Sequence, residues 1–161
     1  MFGKLFKKNT EEQICSPVDG KLCPIDEVPD DVFSKKVLGD GFEVKPIDGN
    51  ILSPIDGKIT TIFPTKHAIG MVTDSGIEVL VHMGIDTVEL KGVPFHLKVS
   101  NGNKVKKGAA LATVDLDYLK ERNIHNDIIV VFSNMDKIDS IDIEEFGNTS
   151  AGDVIGTVKA K

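Results

Sequence analysis

The chain has 161 residues and a mass of 17.5 kDa, with 40% hydrophobic and 27% charged residues. That suffices for one globular domain with its own core, and no apolar run reaches the roughly 20 residues of a membrane-spanning helix. A net charge of −6 and a pI near 5.2 argue against the basic face of a dedicated nucleic-acid binder.

The start, MFGKLFKK, is basic but lacks the continuous apolar stretch and small-residue cleavage site of a secretory signal. Phe2, Leu5 and Phe6 follow helical spacing with Lys4, Lys7 and Lys8 interleaved. Residues 1–13 therefore read as a tail, flexible in solution and able to form an amphipathic turn on an anionic membrane, and residues 14–161 as a single domain. Cys15 and Cys23 are too few for a disulfide framework and wrongly spaced for a CxxC pair, which points to a reducing, cytoplasmic setting.

Fifteen glycines and seven prolines punctuate short runs rich in Val, Ile and Thr, the pattern of an all-β fold made of many short strands. One repeat is visible: Ser16-Pro17-Val18-Asp19-Gly20-Lys21 recurs as Ser53-Pro54-Ile55-Asp56-Gly57-Lys58. Proline fixes φ and Asp-Gly tolerates left-handed backbone, so each copy reads as a turn that opens a strand. The expectation is a compact β-sandwich or barrel-sandwich with an internal duplication. A further turn-to-strand signature runs from Gly102 through Val105 and Gly108 to Leu111. Helical spacing is weak, with candidates of about two turns at residues 116–123 and 141–146.

The informative stretch is residues 64–92, which holds two of the four histidines. Thr73-Asp74-Ser75-Gly76 is a turn signal between alternating apolar residues, so an antiparallel hairpin is predicted. If Val72 faces Ile77, His67 lies opposite His82. Leu80 and His82 then share a face with Ile69 and Met71, with Met83 close by, while Ile77, Val79 and Val81 point the other way with Val72 and Ala68. A bulge at Gly76 would slip that register by one. Paired imidazoles in apolar surroundings suit zinc ligation, acid–base work or nucleophilic attack by a ring nitrogen, and they also occur as hydrogen-bonded filler. His96 and His125 show no such partner and read as surface or loop residues.

The run Val81-His82-Met83-Gly84-Ile85-Asp86-Thr87-Val88-Glu89-Leu90-Lys91-Gly92 resembles the IIA components of the glucose class in the bacterial phosphoenolpyruvate-dependent sugar phosphotransferase system. Thr65-Lys66-His67-Ala68, Val28-Pro29-Asp30 up to Phe33, Gly39-Asp40-Gly41 and Ser133-Asn134-Met135-Asp136 carry the same resemblance. It implies a β-sandwich that accepts a phosphoryl group on Nε2 of His82. His67 would donate to the phosphoryl oxygens, and Thr65 would orient His67. It further implies an apolar partner-binding patch of Phe33, Val37, Leu38, Phe63, Leu80 and Val88, with Asp30 and Asp86 at its rim. The implied partners are the histidine phosphocarrier protein and the IIB domain of a glucose-class permease, met by a monomer. No cofactor is required, although His67 and His82 could hold Zn²⁺ if a partner supplied a carboxylate. Asp31-Val32 departs from the Val-Val that often precedes the phenylalanine in that family.

A neutral imidazole is nucleophilic without an added base, and a carbonyl at the Gly84 turn could hold the tautomer that presents Nε2. Two rival activities fit less well. A lysostaphin-like zinc hydrolase needs a His-x-His pair, whereas His82-Met83-Gly84 supplies one histidine and Asp86 does not complete the site. A biotinyl or lipoyl domain needs a lysine in a hairpin turn, and the sequence after Leu111 has none in place. A regulatory role through phosphorylation-dependent protein binding fits the same patch.

Overall fold

The structure is a computed structural model that describes residues 10–161, so residues 1–9 of the tail expected at 1–13, which carry its amphipathic spacing, lie outside the described residues. In chain order the strands are β1 (Glu11–Cys15), β2 (Gly20–Pro24), β3 (Asp40–Pro46), β4 (Asn50–Leu52), β5 (Gly57–Ile62), β6 (Ala68–Val72) and β7 (Glu78–Met83). There follow β8 (Phe95–Leu97), β9 (Lys104–Val105), β10 (Ala110–Val114), β11 (Ile128–Phe132), β12 (Ile138–Ile143), β13 (Gly147–Thr149) and β14 (Val154–Ala160). Two short helices join them, α1 (Asp31–Ser34) after β2 and α2 (Leu116–Glu121) after β10. The expected domain start at residue 14 falls inside β1, whose pairing with β14 already begins at Glu11.

Eight strands form one sheet in the order β13-β2-β3-β11-β7-β6-β5-β9. Two three-stranded sheets, β1-β14-β12 and β4-β10-β8, complete the antiparallel sandwich. The duplication seen in the sequence is present atom for atom at its turns. Ser16 Oγ donates to the Val18 carbonyl at 2.8 Å and Ser53 Oγ to the Ile55 carbonyl at 2.7 Å. The copies also bond each other, Cys15 N–H to the Pro54 carbonyl and Leu52 N–H to the Pro17 carbonyl, both at 2.7 Å. Asp19 accepts from the Ala151 N–H and Asp56 from the Lys107 N–H, so the 102–111 signature and the segment before β14 play the same part for the two copies.

The predicted helix at 116–123 is present as α2, capped by Asp115, whose Oδ1 accepts from the Tyr118 N–H at 3.0 Å. The predicted helix at 141–146 is wrong. Residues 138–143 form β12, because Ile138, Ile141 and Ile143 pack on the core while the segment pairs with β14. Helix α1 was not foreseen, although Asp30 caps it by accepting from the Val32 N–H at 2.8 Å.

The predicted hairpin exists, with its register moved by one. Thr73 and Ile77 close a three-residue loop through Gly76 N–H to the Thr73 carbonyl (3.0 Å) and Thr73 N–H to the Ile77 carbonyl (2.9 Å), with Gly76 at φ +88°. A glycine at positive φ after such a turn adds the bulge residue. Val72 therefore pairs with Glu78 and Ala68 with His82. Ile69 and Met71 oppose Val81 and Val79 and are buried in the main core with Met83, which corrects their placement beside His82.

The main core fills the space between the sheets, with Phe42, Phe132, Ile59 and Leu111 fully buried. A second, smaller core lies on the outer face of the large sheet. Here Ile129 and Val131 of β11 and the half-buried Leu80 of β7 are covered by Ile25, Val28, Phe33 and Ile85. Both faces of β11 are therefore buried, and His82 on the neighbouring β7 stands on the outer one.

Candidate functional site

His82 points to the outer face from β7, between Ala68 on β6 and Ile129 on β11. Strict alternation would send His67 to the inner face with Ile69, but His67 precedes the strand. It ends a tight loop in which Lys66 sits at φ +60° and Phe63 N–H bonds the Ala68 carbonyl. The two imidazoles meet edge to face with ring centroids 5.0 Å apart. Phe33 lies against His82 at 4.9 Å and Phe63 against His67 at 5.3 Å. The pairing predicted from the hairpin is thus present, reached through the loop rather than by direct cross-strand opposition.

Hydrogen bonds define the rings' chemistry. His82 Nδ1 lies 2.8 Å from the Gly84 carbonyl oxygen, which can only accept, so Nδ1 carries the proton and Nε2 keeps its lone pair. The Gly84 turn is held rigidly. Its N–H donates to the Asp127 carbonyl at 2.8 Å, and Thr87 Oγ1, fully buried, donates to the Met83 carbonyl at 2.7 Å. Gly84 has φ +79°, and a Cβ there would lie 2.5 Å from Thr87 Cγ2. His67 Nδ1 is 2.6 Å from Thr65 Oγ1. Thr65 belongs to the loop, not to a strand face.

Burial pushes the His82 pKa down from 6.5 to about 4, helped by the nearby His67 and opposed by the Gly84 bond, Asp30 and Asp86. His67 is lowered as well, by burial. Both rings are therefore neutral at pH 7. Among the described residues no three His, Cys, Asp or Glu side chains are grouped to hold a metal.

The expected patch divides into floor and rim. Phe33 is buried at 5% exposure and Leu80 is half-buried, so these two form the floor. Val37 (69%), Val88 (49%), Leu38 and Phe63 are exposed. Asp31 is exposed and faces Lys35 at 3.3 Å. Exposed Val32 beside it was not singled out from the sequence. Thr87 and Asp127 were also missed: Thr87 stands inside the conspicuous run, but the part played by Asp127 is a backbone one that no side-chain pattern signals. His96 and His125 are exposed, as read. A cleft of about 400 Å³ lined by Glu12, Asp56, Lys58, Thr73, Asp74 and Lys104 lies at the other end of β6 and β7 and contains neither paired histidine.

Residues 12–138 match the family described as phosphoenolpyruvate-dependent sugar phosphotransferase system, EIIA 1. The chain belongs to this family. It is 44% identical, over 94% of its length, to the PTS system glucose-specific EIICBA component of Streptococcus pneumoniae serotype 4, and it spans 21% of that protein. Its fold matches the glucose permease IIA from Mycoplasma capricolum with a TM-score of 0.83 at 38% identity, covering 92% of this chain and 96% of the other. The chain is thus a phosphotransferase-system IIA component with the β-sandwich of its solved relative. Among the described residues no helix is long and apolar enough to cross a membrane.

Proposed function

We propose that His82 accepts a phosphoryl group on Nε2 from the histidine phosphocarrier protein, in the cytoplasm, and passes it to the IIB domain of a glucose-class sugar permease. The observation that carries this reading is the bond from His82 Nδ1–H to the Gly84 carbonyl, which leaves Nε2 as the nucleophile. In the transfer the Nε2–P bond forms as the donor's own N–P bond breaks, while Nδ1 keeps its proton. The Gly84 carbonyl then stabilises the positive character that the ring gains on phosphorylation. His67 acts next to the phosphoryl group. With Thr65 O–H donating to Nδ1, its Nε2–H is free to donate to a phosphoryl oxygen.

Phosphoryl transfer asks mainly for positioning and charge stabilisation, so two imidazoles in a dry surround are sufficient. The exposed apolar side chains Val37, Leu38, Phe63 and Val88 supply a rim that a partner protein closes, which keeps water from the labile phosphohistidine. Asp30 and Asp86 act on His82 electrostatically and are placed to select partners by charge. The histidine pair also fits half of a zinc site in the other His67 tautomer: with Nδ1–H donating to Thr65 Oγ1, both Nε2 lone pairs are available, and a carboxylate from a partner would be needed to complete the site.

The test is mass spectrometry after incubation with phosphoenolpyruvate, enzyme I and the phosphocarrier protein. One phosphoryl group is expected on the wild-type chain and none on His82→Gln. Labelling of the variant at a rate near wild type would refute the assignment.

A further inference from the structure

Behind the histidines lies a buried acid that the transfer reaction does not use. Glu43 stands between the core residues Phe42 and Val44 on β3. The register places it on the outer face in one row with Cys23 on β2, Ile129 on β11 and His82 on β7. It is 0% exposed, and neither carboxyl oxygen accepts a hydrogen bond from a donor group among the described residues. An ionised carboxylate left in that position would be very unfavourable. Burial is accordingly the largest cause that raises the Glu43 pKa from 4.5 to about 9. The carboxyl of Asp127 comes next, both as the neighbour with which the proton can be shared and as a negative charge. Lys45 opposes the shift and Glu27 adds to it, while the Cys23 thiol, itself raised by burial, brings no positive charge.

Asp127 is buried at 5% exposure, and its main chain leads to the reactive ring. Its carbonyl accepts the Gly84 N–H at 2.8 Å, the His125 carbonyl accepts the Ile85 N–H at 3.1 Å, and the Gly84 carbonyl accepts His82 Nδ1–H at 2.8 Å. We propose that Glu43 and Asp127 share one proton, the Glu43 carboxylic O–H donating to the Asp127 carboxylate, and that this brace fixes residues 125–127 so that the Gly84 turn holds His82 in its reactive tautomer. The idea rests on His82 being the phosphoryl acceptor. Glu43 is then a positioning residue that acts through Asp127 and Gly84. At alkaline pH the shared proton passes to solvent, two buried carboxylates repel, and the Gly84 turn loosens. His82 stays neutral throughout, so the alkaline loss belongs to the acid pair.

The experiment uses the full, unphosphorylated chain with ¹³C-labelled carboxyl groups and amide hydrogen exchange. Glu43 is expected to titrate well above the other glutamates, and Asp127→Asn, which removes the neighbouring charge, to lower its midpoint by about one unit or more. Glu43→Gln keeps a donor that does not titrate. It should preserve Gly84 amide protection and the labelling rate within about twofold and abolish the alkaline limb of the pH profile. Glu43→Leu fills the volume without a donor and should lower Gly84 protection by about tenfold. A Glu43 midpoint in the ordinary carboxylate range, or wild-type Gly84 protection in folded Glu43→Leu, overturns the proposal. These readouts do not depend on which histidine is phosphorylated. A label found elsewhere than His82 would refute the acceptor assignment and leave the acid pair standing.

Discussion

Replacing Phe33 by alanine removes the aromatic cover from one side of His82, whose ring it meets at 4.9 Å. In the folded chain the His82 pKa is depressed from 6.5 to about 4, and burial is the largest cause. A gap of about 2.5 units corresponds to roughly 3.4 kcal/mol between protonating the ring in the folded and in the unfolded state. The unfolded chain takes the proton first, so this contribution is fully present above pH 6.5 and is lost as pH falls through 4. Phe33→Ala should move the His82 midpoint up by about one unit and so reduce the stability lost on acidification by about 1.4 kcal/mol, a difference fully expressed only below pH 4. It should also destabilise the protein at pH 7 by about 3 kcal/mol, the lower end for a buried phenylalanine, because Phe33 belongs to the smaller core. NMR titration of the ring protons, with urea unfolding at pH 3.5 and pH 7, measures both effects. Wild-type labelling should stay flat from pH 8 down to about 5, while the variant should acquire an acid limb. A wild-type midpoint near 6.5, or a midpoint unchanged in the folded variant, would refute the reasoning.

His67→Gln should fold and be labelled on His82, yet donate to the IIB partner about 100-fold more slowly, since a donor to the phosphoryl oxygens is lost. Equal onward rates in a rapid-quench assay would contradict this. Gly84→Ala places a Cβ at φ +79° and 2.5 Å from Thr87 Cγ2, so a loss of about 2 kcal/mol or more is expected, read as a lower Tm. An unchanged Tm would show that the turn is not held as described. Zinc should bind the free protein weakly in calorimetry, and tight stoichiometric binding would show that the chain itself supplies a third ligand.

The parts of the fold that were legible in the sequence are those encoded locally. Proline, Asp-Gly and the serine hydroxyls specify the two turns by themselves, so the duplication could be read directly. The helix at 116–123 was legible through its short apolar period. Residues 141–146 were not, because spacing over so few residues suits either period and pairing with β14 decides it. The hairpin was visible, but its register turned on whether Gly76 closes the loop as a bulge residue, which Thr73-Asp74-Ser75-Gly76 leaves undecided. Glu43 was illegible for a different reason. Alternation in Phe42-Glu43-Val44 reads as an inward, outward, inward strand, and nothing nearby indicates that residues 25–33 cover the outer face.

The slipped register changes what surrounds His82. In the predicted register Ile69 and Met71 would have flanked His82 from the neighbouring strand, and the sheet alone would have dried the ring. In the structure those two side chains strengthen the main core, and β6 presents Ala68 and Gly70 beside His82 and Leu80. The apolar cover must then come from outside the sheet, from Phe33 of α1 and from Phe63 of the loop before β6. Phe33 is packed down, whereas Phe63 and, beyond it, Val88, Leu38 and Val37 remain exposed. An exposed apolar rim around a nucleophile is poorly shaped to enclose a small molecule but well shaped to meet a flat protein surface. Desolvation is therefore only partial in the free chain, enough to keep Nε2 unprotonated, and under the proposed function it is completed on docking, when the phosphoryl group is in transit and water would be most damaging.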